Sequence, residues 1–460
     1  MNTADNGSQW LHYRRFSYII DIIDQSLRID SGWEGKSLMK ILWVSNFILP
    51  DIAKKMNLGA VYSVGGWMVG MWNAMKKRSD VELAISFPLY ETSDLTIGEM
   101  DGARFYGFAQ PQRICLRYEE SVENQLKKAI ADFQPDIVHI FGTEYMHALA
   151  AVRAFGHPER TVIGIQGMVS VYAKHFMAGV PDWVQKGRTF RDIIKRDNLI
   201  HQRQSFYDRA VFETEAIRNV DHVIGRTDWD KACTEQINSQ AEYHFCNETL
   251  RESFYHNRWD LASCERHSIF VSQGSYPIKG FHYLLEAMPE ILEKYPDAHI
   301  YVAGGDITKQ DSWKDKLRQS SYGKYICDLI RQNGLRDHVT FTGFLDEQAM
   351  CERYYRSHVF VSSSSIENSP NSVGEAMLLG MPVVSSDVGG VKNMMTHGEE
   401  GFVYPVDAPY MLAHYVNRIF ADDALAEKIG CASHAHAAKT HDRETNSERL
   451  FEIYEDILKK

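Results

Sequence analysis

The sequence predicts an α/β protein made of two similar halves, each built on a parallel β-sheet. Three observations carry this prediction: short apolar runs, intervening segments long enough for helices, and a restart of the alternation near residue 263. Strands that alternate with helical segments form parallel sheets, because the helices cross over the sheet between strands. At roughly 100–200 residues per domain, 460 residues allow two or three domains.

The first half begins at Met39 with a strand, a glycine turn and a helix. The apolar run MKILWVSNF ends in polar residues, and a loop then leads to Gly65-Gly66 and the apolar stretch WMVGMWNAM. This succession is the usual start of an α/β domain. Further elements are predicted as strands over 81–86, 136–142, 161–167 and 221–227 and a helix over 121–133.

The second half repeats the scheme. Its elements are predicted as strands over 267–274, 299–305, 339–344, 358–365 and 382–386 and helices over 281–295 and 372–380. We therefore assign residues 39–262 to a first domain and residues 263–442 to a second. The last helical segment, 443–460, has no strand after it and could pack on either half; we assign it to the first.

Residues 1–38 form a separate extension. Apolar residues from Trp10 to Leu27 recur at three-to-four spacing, which predicts an amphipathic helix over 10–29. Its apolar face could touch lipid, but packing against a neighbouring domain is the favoured interpretation.

Composition and charge argue against several classes of protein. Hydrophobic residues make up 44% and charged residues 24%, as in folded globular proteins. The net charge of −11 argues against a dedicated nucleic-acid binder, because such proteins need a basic surface. Seven scattered cysteines with no C-x-x-C pair argue against a disulfide framework or a zinc site.

No targeting or membrane-spanning segment is expected. The first residues lack the charged, apolar and small-residue pattern of a secretory signal. No uncharged apolar run approaches the ~18 residues that a membrane span needs. These observations predict a cytoplasmic protein.

The stretch 186–209 is basic, although the whole protein is acidic. It holds seven basic and three acidic residues, and aromatic residues lie in and beside it: Trp183, Phe190, Phe206 and Tyr207. A solvated helix face is the favoured interpretation. The alternative is attraction to an anionic lipid surface or a phosphorylated acceptor.

The segment 362–390 carries the most specific chemical signal. Glu367 and Glu375 lie eight residues apart, across a loop that precedes a helix. A helix N-terminus exposes unpaired amides, so the amides of Asn371, Ser372 and Val373 could hold a diphosphate without a metal. The carboxylate in the loop, Glu367, would then face hydroxyl groups of the bound molecule. The carboxylate in the first turn of the helix, Glu375, would face a second hydroxylated group. A nucleoside diphosphate sugar has this layout.

A structural interpretation of the same residues stays open. Ser372 to Glu375 also fits a capping box, in which Glu375 would return a hydrogen bond to the backbone amide of the cap residue. Glu367 has no such alternative beyond ordinary solvation.

At these residues the sequence resembles the retaining glycosyltransferases of family 4, also called glycosyl transferases group 1, over roughly residues 39–440. The core of the resemblance is E-x7-E from Glu367 to Glu375, set in E-x-x-P-N-x-x-x-E-A-M and followed by G-M-P-V-V. Other landmarks that match are Lys279-Gly280, VAGG at 302–305, FTGF at 341–344, GGV at 389–391 and G-x-x-G-F-V-Y at 398–404.

The resemblance implies the GT-B fold, in which two Rossmann-like domains face each other across a cleft. It implies a retaining, metal-independent transferase of the hexosyl type that uses a UDP- or GDP-linked sugar as donor. The expected acceptor is a hydroxyl of a saccharide or lipid-linked saccharide. If the basic stretch 186–209 docks on a membrane, we expect a lipid-linked acceptor in surface polysaccharide or glycoconjugate assembly of the bacterial type, at the inner face of the cell membrane. No cofactor is expected.

The family's residue roles carry over to matching positions. Lys279 would neutralise the donor diphosphate and Glu367 would contact the transferred sugar, which makes them the candidate catalytic residues. The other candidate donor-binding residues are Gly65, Gly66, Gly274, Ser275, Gly304, Phe344, Leu345, Asn371, Ser372, Val373 and Glu375. Within this set Phe344 and Leu345 would flank the base, and Glu375 would bind the ribose.

The sequence departs from the family pattern in two places. Family members commonly carry an arginine shortly before the K-G pair, whereas this chain reads GSYPIK over 274–279; Arg226 is the best substitute. Many members also have a histidine where this chain has Gln166-Gly167, and His139 and His147 are expected to be structural.

Asp228-Trp229-Asp230 imitates the metal-binding D-x-D of another glycosyltransferase fold. We reject that interpretation because the motif directly follows a strand, where Thr227 or Asp228 would cap the next helix.

Two other functions stay open. One is a nucleotide-sugar epimerase on the same fold, which would need an acid/base pair near the sugar. The other is a non-catalytic nucleotide-sugar-binding subunit of a glycosylation complex, which the missing arginine suggests.

Overall fold

The computed structural model describes residues 38–59 and 66–459. The amphipathic helix expected over 10–29 and the glycine at position 65 lie outside the described residues. Within the described part, two parallel sheets each carry helices on their faces, as the alternation of strands and helices predicts.

The first sheet has eight strands in the order β3-β4-β2-β1-β5-β6-β7-β8, and only the β3–β4 pair is antiparallel. Its strands are β1 (Met39–Ser45), β2 (Val81–Leu89), β3 (Thr96–Met100), β4 (Ala103–Ala109), β5 (Ile137–Phe141), β6 (Thr161–Gly164), β7 (His222–Gly225) and β8 (Glu242–Phe245). The helices of this part of the chain are α1 (Pro50–Lys55), α2 (Gly66–Lys76), α3 (Glu120–Phe133), α4 (His147–Phe155), α5 (Val169–His175), α6 (Asp182–Gln185), α7 (Phe190–Lys195), α8 (Leu199–Arg218), α9 (Asp228–Ile237) and α10 (Ser253–His256), and α10 packs on the second domain.

The second sheet has six parallel strands in the order β11-β10-β9-β12-β13-β14. Its strands are β9 (Glu265–Val271), β10 (His299–Val302), β11 (Val339–Phe341), β12 (Ser357–Ser362), β13 (Val383–Ser386) and β14 (Phe402–Tyr404). Its helices are α11 (Phe281–Leu292), α12 (Trp313–Arg318), α13 (Ser321–Gln332), α14 (Glu347–Arg356), α15 (Asn371–Leu379), α16 (Val391–Met394), α17 (Pro409–Ala421) and α18 (Asp423–Thr440).

The final helix, α19 (Arg443–Lys459), returns to the first sheet. There it packs beside α2, and its Tyr454 hydroxyl lies 3.1 Å from Nε1 of Trp43 and 2.6 Å from Nδ1 of His139. The assignment of this helical segment to the first domain is therefore consistent with its packing.

Both faces of the first sheet are covered by apolar side chains. One face packs on α1, α2 and α19, and the other on α3, α4 and α8. His139 and His147 lie inside this core, where burial lowers their pKa values to about 3 and about 4. Both histidines are therefore neutral structural residues, as predicted.

A cleft of about 1400 Å³ separates the two sheets. It is lined from the first domain by residues such as Asn46, Glu144 and Tyr172, and from the second by Lys279 and Asp306. Among the described residues, no helix is long and apolar enough to cross a membrane.

Candidate active site

A small polar pocket of about 260 Å³ lies where loops of the two domains meet. The loops after β6 and β7 contribute Gln166 and Arg226, and the loops after β9 and β12 contribute Lys279 and Glu367. The first residues of α15 complete its wall. The structure therefore brings most of the predicted catalytic and phosphate-binding residues together.

Lys279 and Glu367 form the centre of this pocket. Nζ of Lys279 lies 2.5 Å from Oε1 of Glu367, which also accepts a hydrogen bond of 2.7 Å from the Ser364 hydroxyl. Burial disfavours the lysine charge, but the Glu367 carboxylate and Tyr276 outweigh it, so the pKa of Lys279 is raised. Lys279 is thus held as a cation while its side chain stays 22% exposed to the pocket.

Two glycines allow this arrangement. Gly280 has φ 63°, and a Cβ there would overlap the carbonyl oxygen of Ser363. Gly389 has φ 52°, and a Cβ there would overlap the carbonyl oxygen of Glu367, which accepts a 3.1 Å bond from the amide of Gly390. The K-G and G-G-V motifs therefore support the backbones of the two candidate catalytic residues.

Helix α15 presents two backbone amides to the pocket, fewer than predicted. The amides of Val373 and Gly374 donate to the carbonyl of Pro370, at 2.9 and 3.2 Å. Within the described ranges, the amides of Asn371 and Ser372 have no protein acceptor, and both residues line the pocket. The prediction that the Val373 amide holds a phosphate is wrong, because Pro370 already takes that amide.

Glu375 lies one turn into the same helix and is paired. Arg251 donates to both of its carboxylate oxygens, Nε to Oε1 and Nη2 to Oε2, each at 2.6 Å. No side chain caps α15, so the capping-box interpretation of Glu375 is wrong. Ribose binding by Glu375 stays a prediction.

Gly66 brings the first domain against this ion pair. A Cβ on Gly66 would lie 3.2 Å from Cγ of Arg251, so a larger residue would press on the arginine. Gly66 thus permits close packing on the arginine that holds Glu375, and its part in donor binding stays a prediction.

Arg226 lines the same pocket as Lys279, as expected of a substitute for the missing arginine. Its guanidinium is ion-paired with Glu248, which also accepts a hydrogen bond from the Gln166 side chain. Any diphosphate would therefore meet an arginine whose charge is already partly neutralised.

The candidate base-binding residues lie at the carboxyl ends of β10 and β11. Gly304 has φ 105° and donates a 2.9 Å hydrogen bond to the carbonyl of Gly343. The Phe344 ring is 92% exposed and free to stack, whereas Leu345 packs against the core of the second domain.

Gly274 and Ser275 differ in position. A Cβ on Gly274 would lie 3.0 Å from Cγ1 of Val302 and 3.1 Å from Cγ of Phe281, so this glycine permits close packing inside the domain. Ser275 lines the large cleft.

The residues in and beside the D-x-D motif make contacts within the protein. Thr227 caps α9 by accepting a 3.0 Å bond from the Asp230 amide, as predicted. The buried Asp230 carboxylate accepts bonds of 3.0 Å from the Arg226 amide and from the Asn368 side chain. The predicted cap is thus confirmed, and the Asp230 carboxylate is taken up by contacts within the protein.

The large cleft also holds an acidic residue that the sequence motifs did not predict. Glu144 follows β5, and burial, assisted by the nearby Glu213 and opposed by Arg209, raises its pKa to about 7. The available signal in the sequence is a glutamate three residues after a buried strand, because the carboxyl ends of parallel strands meet at the cleft.

Some basic side chains of the stretch 186–209 are paired or buried, so fewer of them are available to a partner than the charge count indicates. Arg191 donates to both carboxylate oxygens of Asp197, at 2.7 and 2.8 Å. Arg209 is buried, and its guanidinium lies 4.4 Å from the centre of the Phe206 ring. Several apolar and basic residues in and beside this segment are exposed, and we call seven of them the apolar–basic patch: Trp183, Arg188, Phe190, Ile193, Ile194, Lys195 and Arg196.

Residues 254–435 match the sequence model of the family described as Glycosyl transferases group 1. The chain is similar to spore coat protein SA of Bacillus subtilis, at 29% identity over 189 residues, which are 41% of this chain and 48% of that protein. It is also similar to the phosphatidyl-myo-inositol mannosyltransferase of Mycobacterium tuberculosis, at 26% identity over 195 residues, 41% of this chain and 47% of that protein. The chain thus matches about half the length of these relatives.

The structural likeness extends over almost the whole chain. The crystal structure of Anabaena HepE in complex with UDP-glucose superposes with a TM-score of 0.62 at 16% identity, covering 91% of this chain and 100% of that one. The predicted GT-B fold is therefore confirmed. The sequence match is narrower than the predicted range of 39–440: it covers the second domain, which contributes Lys279, Glu367 and Glu375.

Proposed function

We propose that this protein is a retaining glycosyltransferase that moves a hexosyl group from a nucleotide-sugar donor to a hydroxyl of a saccharide or lipid-linked saccharide. One observation carries the proposal: the cation of Lys279 and the amides of Asn371 and Ser372 face one pocket together with Glu367. The cation and the amides can hold a diphosphate, and Glu367 beside them can bind the sugar attached to it.

The leaving group is the nucleoside diphosphate. As its bond to the sugar breaks, negative charge grows on the phosphate oxygen, and Lys279 together with the two amides stabilises that charge. Groups that are fixed before the reaction stabilise the transition state without reorganising. This electrostatic role is why we expect no metal ion in the reaction.

Glu367 orients the sugar ring as positive charge develops on it. Retention follows if the acceptor hydroxyl attacks from the face that the diphosphate leaves, with a phosphate oxygen taking the acceptor proton. This part of the proposal rests on the family resemblance alone.

The donor is expected to carry uridine or guanosine diphosphate. The complex of HepE with UDP-glucose favours uridine, since that protein shares the fold. The exposure of the Phe344 ring supports a role in stacking on the base.

Contact with the inner face of the cell membrane is a further part of the proposal. In the apolar–basic patch, Ile193 and Ile194 are 60% and 67% exposed, next to Lys195 and Arg196. Apolar side chains beside basic ones fit the boundary of an anionic bilayer. The mycobacterial relative, whose name specifies a phosphatidylinositol substrate, favours a lipid-linked acceptor in surface polysaccharide or glycoconjugate assembly.

The activity is tested by incubating the protein with UDP- and GDP-sugars and separating the products by liquid chromatography and mass spectrometry. We expect nucleoside diphosphate release, faster with acceptor, and loss of release in Glu367→Gln but not in Glu399→Gln, an exposed glutamate. Conversion of the donor to an isomer would indicate the epimerase instead. Binding without turnover would indicate the non-catalytic subunit.

The membrane contact is tested by flotation with vesicles that contain phosphatidylglycerol. Charge reversal of Arg188, Lys195 and Arg196 should abolish flotation, whereas reversal of the exposed Lys77 and Lys128 should leave it unchanged. Equal flotation of both variants would remove the membrane from the proposal and leave the transferase activity standing.

A further inference from the structure

Three side chains that can ligate a metal ion meet at the outer edge of the first sheet. His222 is the first residue of β7, and Glu242 and His244 lie on β8, the edge strand. In the parallel register His222 pairs with Glu242, and residues two apart on a strand face the same side. The sheet therefore places two imidazoles and one carboxylate on one face.

The ligand atoms are spaced as one ion between them requires. Nδ1 of His222 lies 3.1 Å from Nε2 of His244 and 3.5 Å from Oε2 of Glu242. The same carboxylate oxygen lies 4.0 Å from Nε2 of His244. Tetrahedral zinc with bonds of about 2.1 Å separates its ligand atoms by about 3.4 Å, so only small side-chain shifts are needed.

The chemistry of the three side chains favours a transition-metal ion, and the exposure of Glu242 lets that ion enter from solvent. The His222 and His244 side chains are only 6% and 8% exposed, whereas the Glu242 side chain is 46% exposed. Two imidazoles with one carboxylate suit zinc and its neighbours, while magnesium and calcium prefer sites made of oxygen alone.

We propose that His222, Glu242 and His244 bind one divalent transition-metal ion of the zinc type. The ion ties the edge strand β8 to β7, and the chain after β8 supplies Glu248 and Arg251, which contact Arg226 and Glu375. The metal site therefore anchors the segment after β8, which supports the candidate active site. The metal ligands themselves are not part of that active site.

The proposed ion takes no part in sugar transfer. His222 precedes Arg226 by four residues, which is about 13 Å of extended strand. The cysteine pattern alone argues against zinc, but it carries no information on how two strands bring His222 and His244 together.

The test uses the whole protein after treatment with EDTA and desalting. We expect added Zn²⁺ to bind at one ion per chain in calorimetry and to raise the melting temperature. Co²⁺ should give the visible absorption of a tetrahedral site, which Zn²⁺ then removes. A thiolate charge-transfer band should be absent; its presence would assign the binding to a cysteine such as the exposed Cys431 and overturn the proposal.

Matched variants make the assignment specific. Glu242→Gln and His244→Gln should each weaken Zn²⁺ binding about 10-fold or more, whereas His157→Ala should bind as the wild type does. His157 is the control because it pairs with Glu159 at 3.1 Å without a second histidine. Glu242→Gln changes an exposed side chain, so it keeps the test meaningful if His244→Gln fails to fold. Failure of the wild type to bind Zn²⁺, or equal binding by Glu242→Gln, would overturn the proposal, and neither result bears on the transferase activity.

Discussion

The ammonium of Lys279 lies 2.5 Å from the carboxylate of Glu367, and this pair lies at the centre of the small polar pocket where the loops of the two domains meet. Two glycines fix the backbones on either side of it, and neither can accept a Cβ without a collision. When the donor binds, we expect its diphosphate to take the lysine as counter-ion while Glu367 turns to the sugar.

Replacing Lys279 should separate binding from stability. Lys279→Met removes a charge-assisted contact worth roughly 1.5–3 kcal/mol, so nucleotide affinity should fall about 10-fold or more. It also leaves Glu367 buried without a cation, which should lower the unfolding free energy. The double variant Lys279→Met/Glu367→Gln should regain stability in urea denaturation but not affinity in calorimetry. Recovery of affinity in the double variant would contradict the role of Lys279 in diphosphate binding.

The glycine that supports Glu367 should not tolerate alanine. Gly389→Ala places a Cβ against the Glu367 carbonyl, and we expect a loss of more than ~2 kcal/mol in the unfolding free energy together with weaker donor binding. Gly398 is the matched control: it has φ 81°, but a Cβ there meets nothing within 4 Å. Gly398→Ala should therefore lose only about 1 kcal/mol, the cost of its backbone conformation. Similar losses in the two variants would contradict the proposed contact.

Removing one partner of the Arg251–Glu375 ion pair should destabilise the protein more than removing both. Arg251→Met leaves a nearly buried carboxylate unpaired, and roughly 3–5 kcal/mol is expected to be lost. Arg251→Met/Glu375→Leu removes both charges and should recover most of that loss in thermal or urea unfolding. A double variant as unstable as the single one would contradict the role of Arg251 as the counter-ion of Glu375.

Glu144 should leave a signature in the pH dependence of stability. Its pKa is raised from 4.5 to about 7, so the folded protein keeps a proton that the unfolded chain releases between these values. The unfolding free energy therefore falls as pH rises from 4.5 to 7, by up to about 1 kcal/mol per pH unit for this group. Glu144→Gln should remove that contribution, seen as a difference between the two stability curves measured at several pH values. Parallel curves would contradict the raised pKa.

Phe344 should contribute to affinity without contributing to stability. Its ring is 92% exposed, so Phe344→Ala should leave the melting temperature of the free protein unchanged. Loss of stacking on a base typically costs about 1–3 kcal/mol, which predicts nucleotide binding about 10-fold weaker in calorimetry. Leu345 packs on the core, so Leu345→Ala should do the opposite and lower stability first. Unchanged nucleotide binding by Phe344→Ala would place the base elsewhere.

Most of the strands that the sequence predicts are buried within a parallel sheet. β1 and β5 are continuous apolar runs because helices cover both faces of the sheet. The sequence patterns do not predict β4, an inner and largely buried strand, or β14, a buried edge strand of three residues. They also do not predict β3 and β8, which lie at sheet edges and carry polar, partly exposed residues. Periodicity has little to detect in such strands.

The candidate site could be predicted as a set of residues but not as a set of contacts. Family resemblance points to Lys279 and Glu367, which are 88 residues apart in the chain. Nothing in the sequence pairs Glu375 with Arg251, 124 residues earlier, or Arg226 with Glu248. The hydrogen bond of the Val373 amide depends on how the chain turns at Pro370, and no local sequence pattern predicts that turn.

The pocket around Lys279 should bind a nucleotide-sugar without a metal ion, and the proposed activity depends on this binding. Calorimetry of UDP, GDP, UDP-glucose and GDP-mannose against the wild type, in EDTA, tests it most directly, with Lys279→Met and Lys128→Met as paired variants. We predict binding of the nucleotides of one base, weakened about 10-fold or more by Lys279→Met and unchanged by Lys128→Met. Absence of binding to all four ligands, or equal binding by both variants, would contradict a donor site at Lys279.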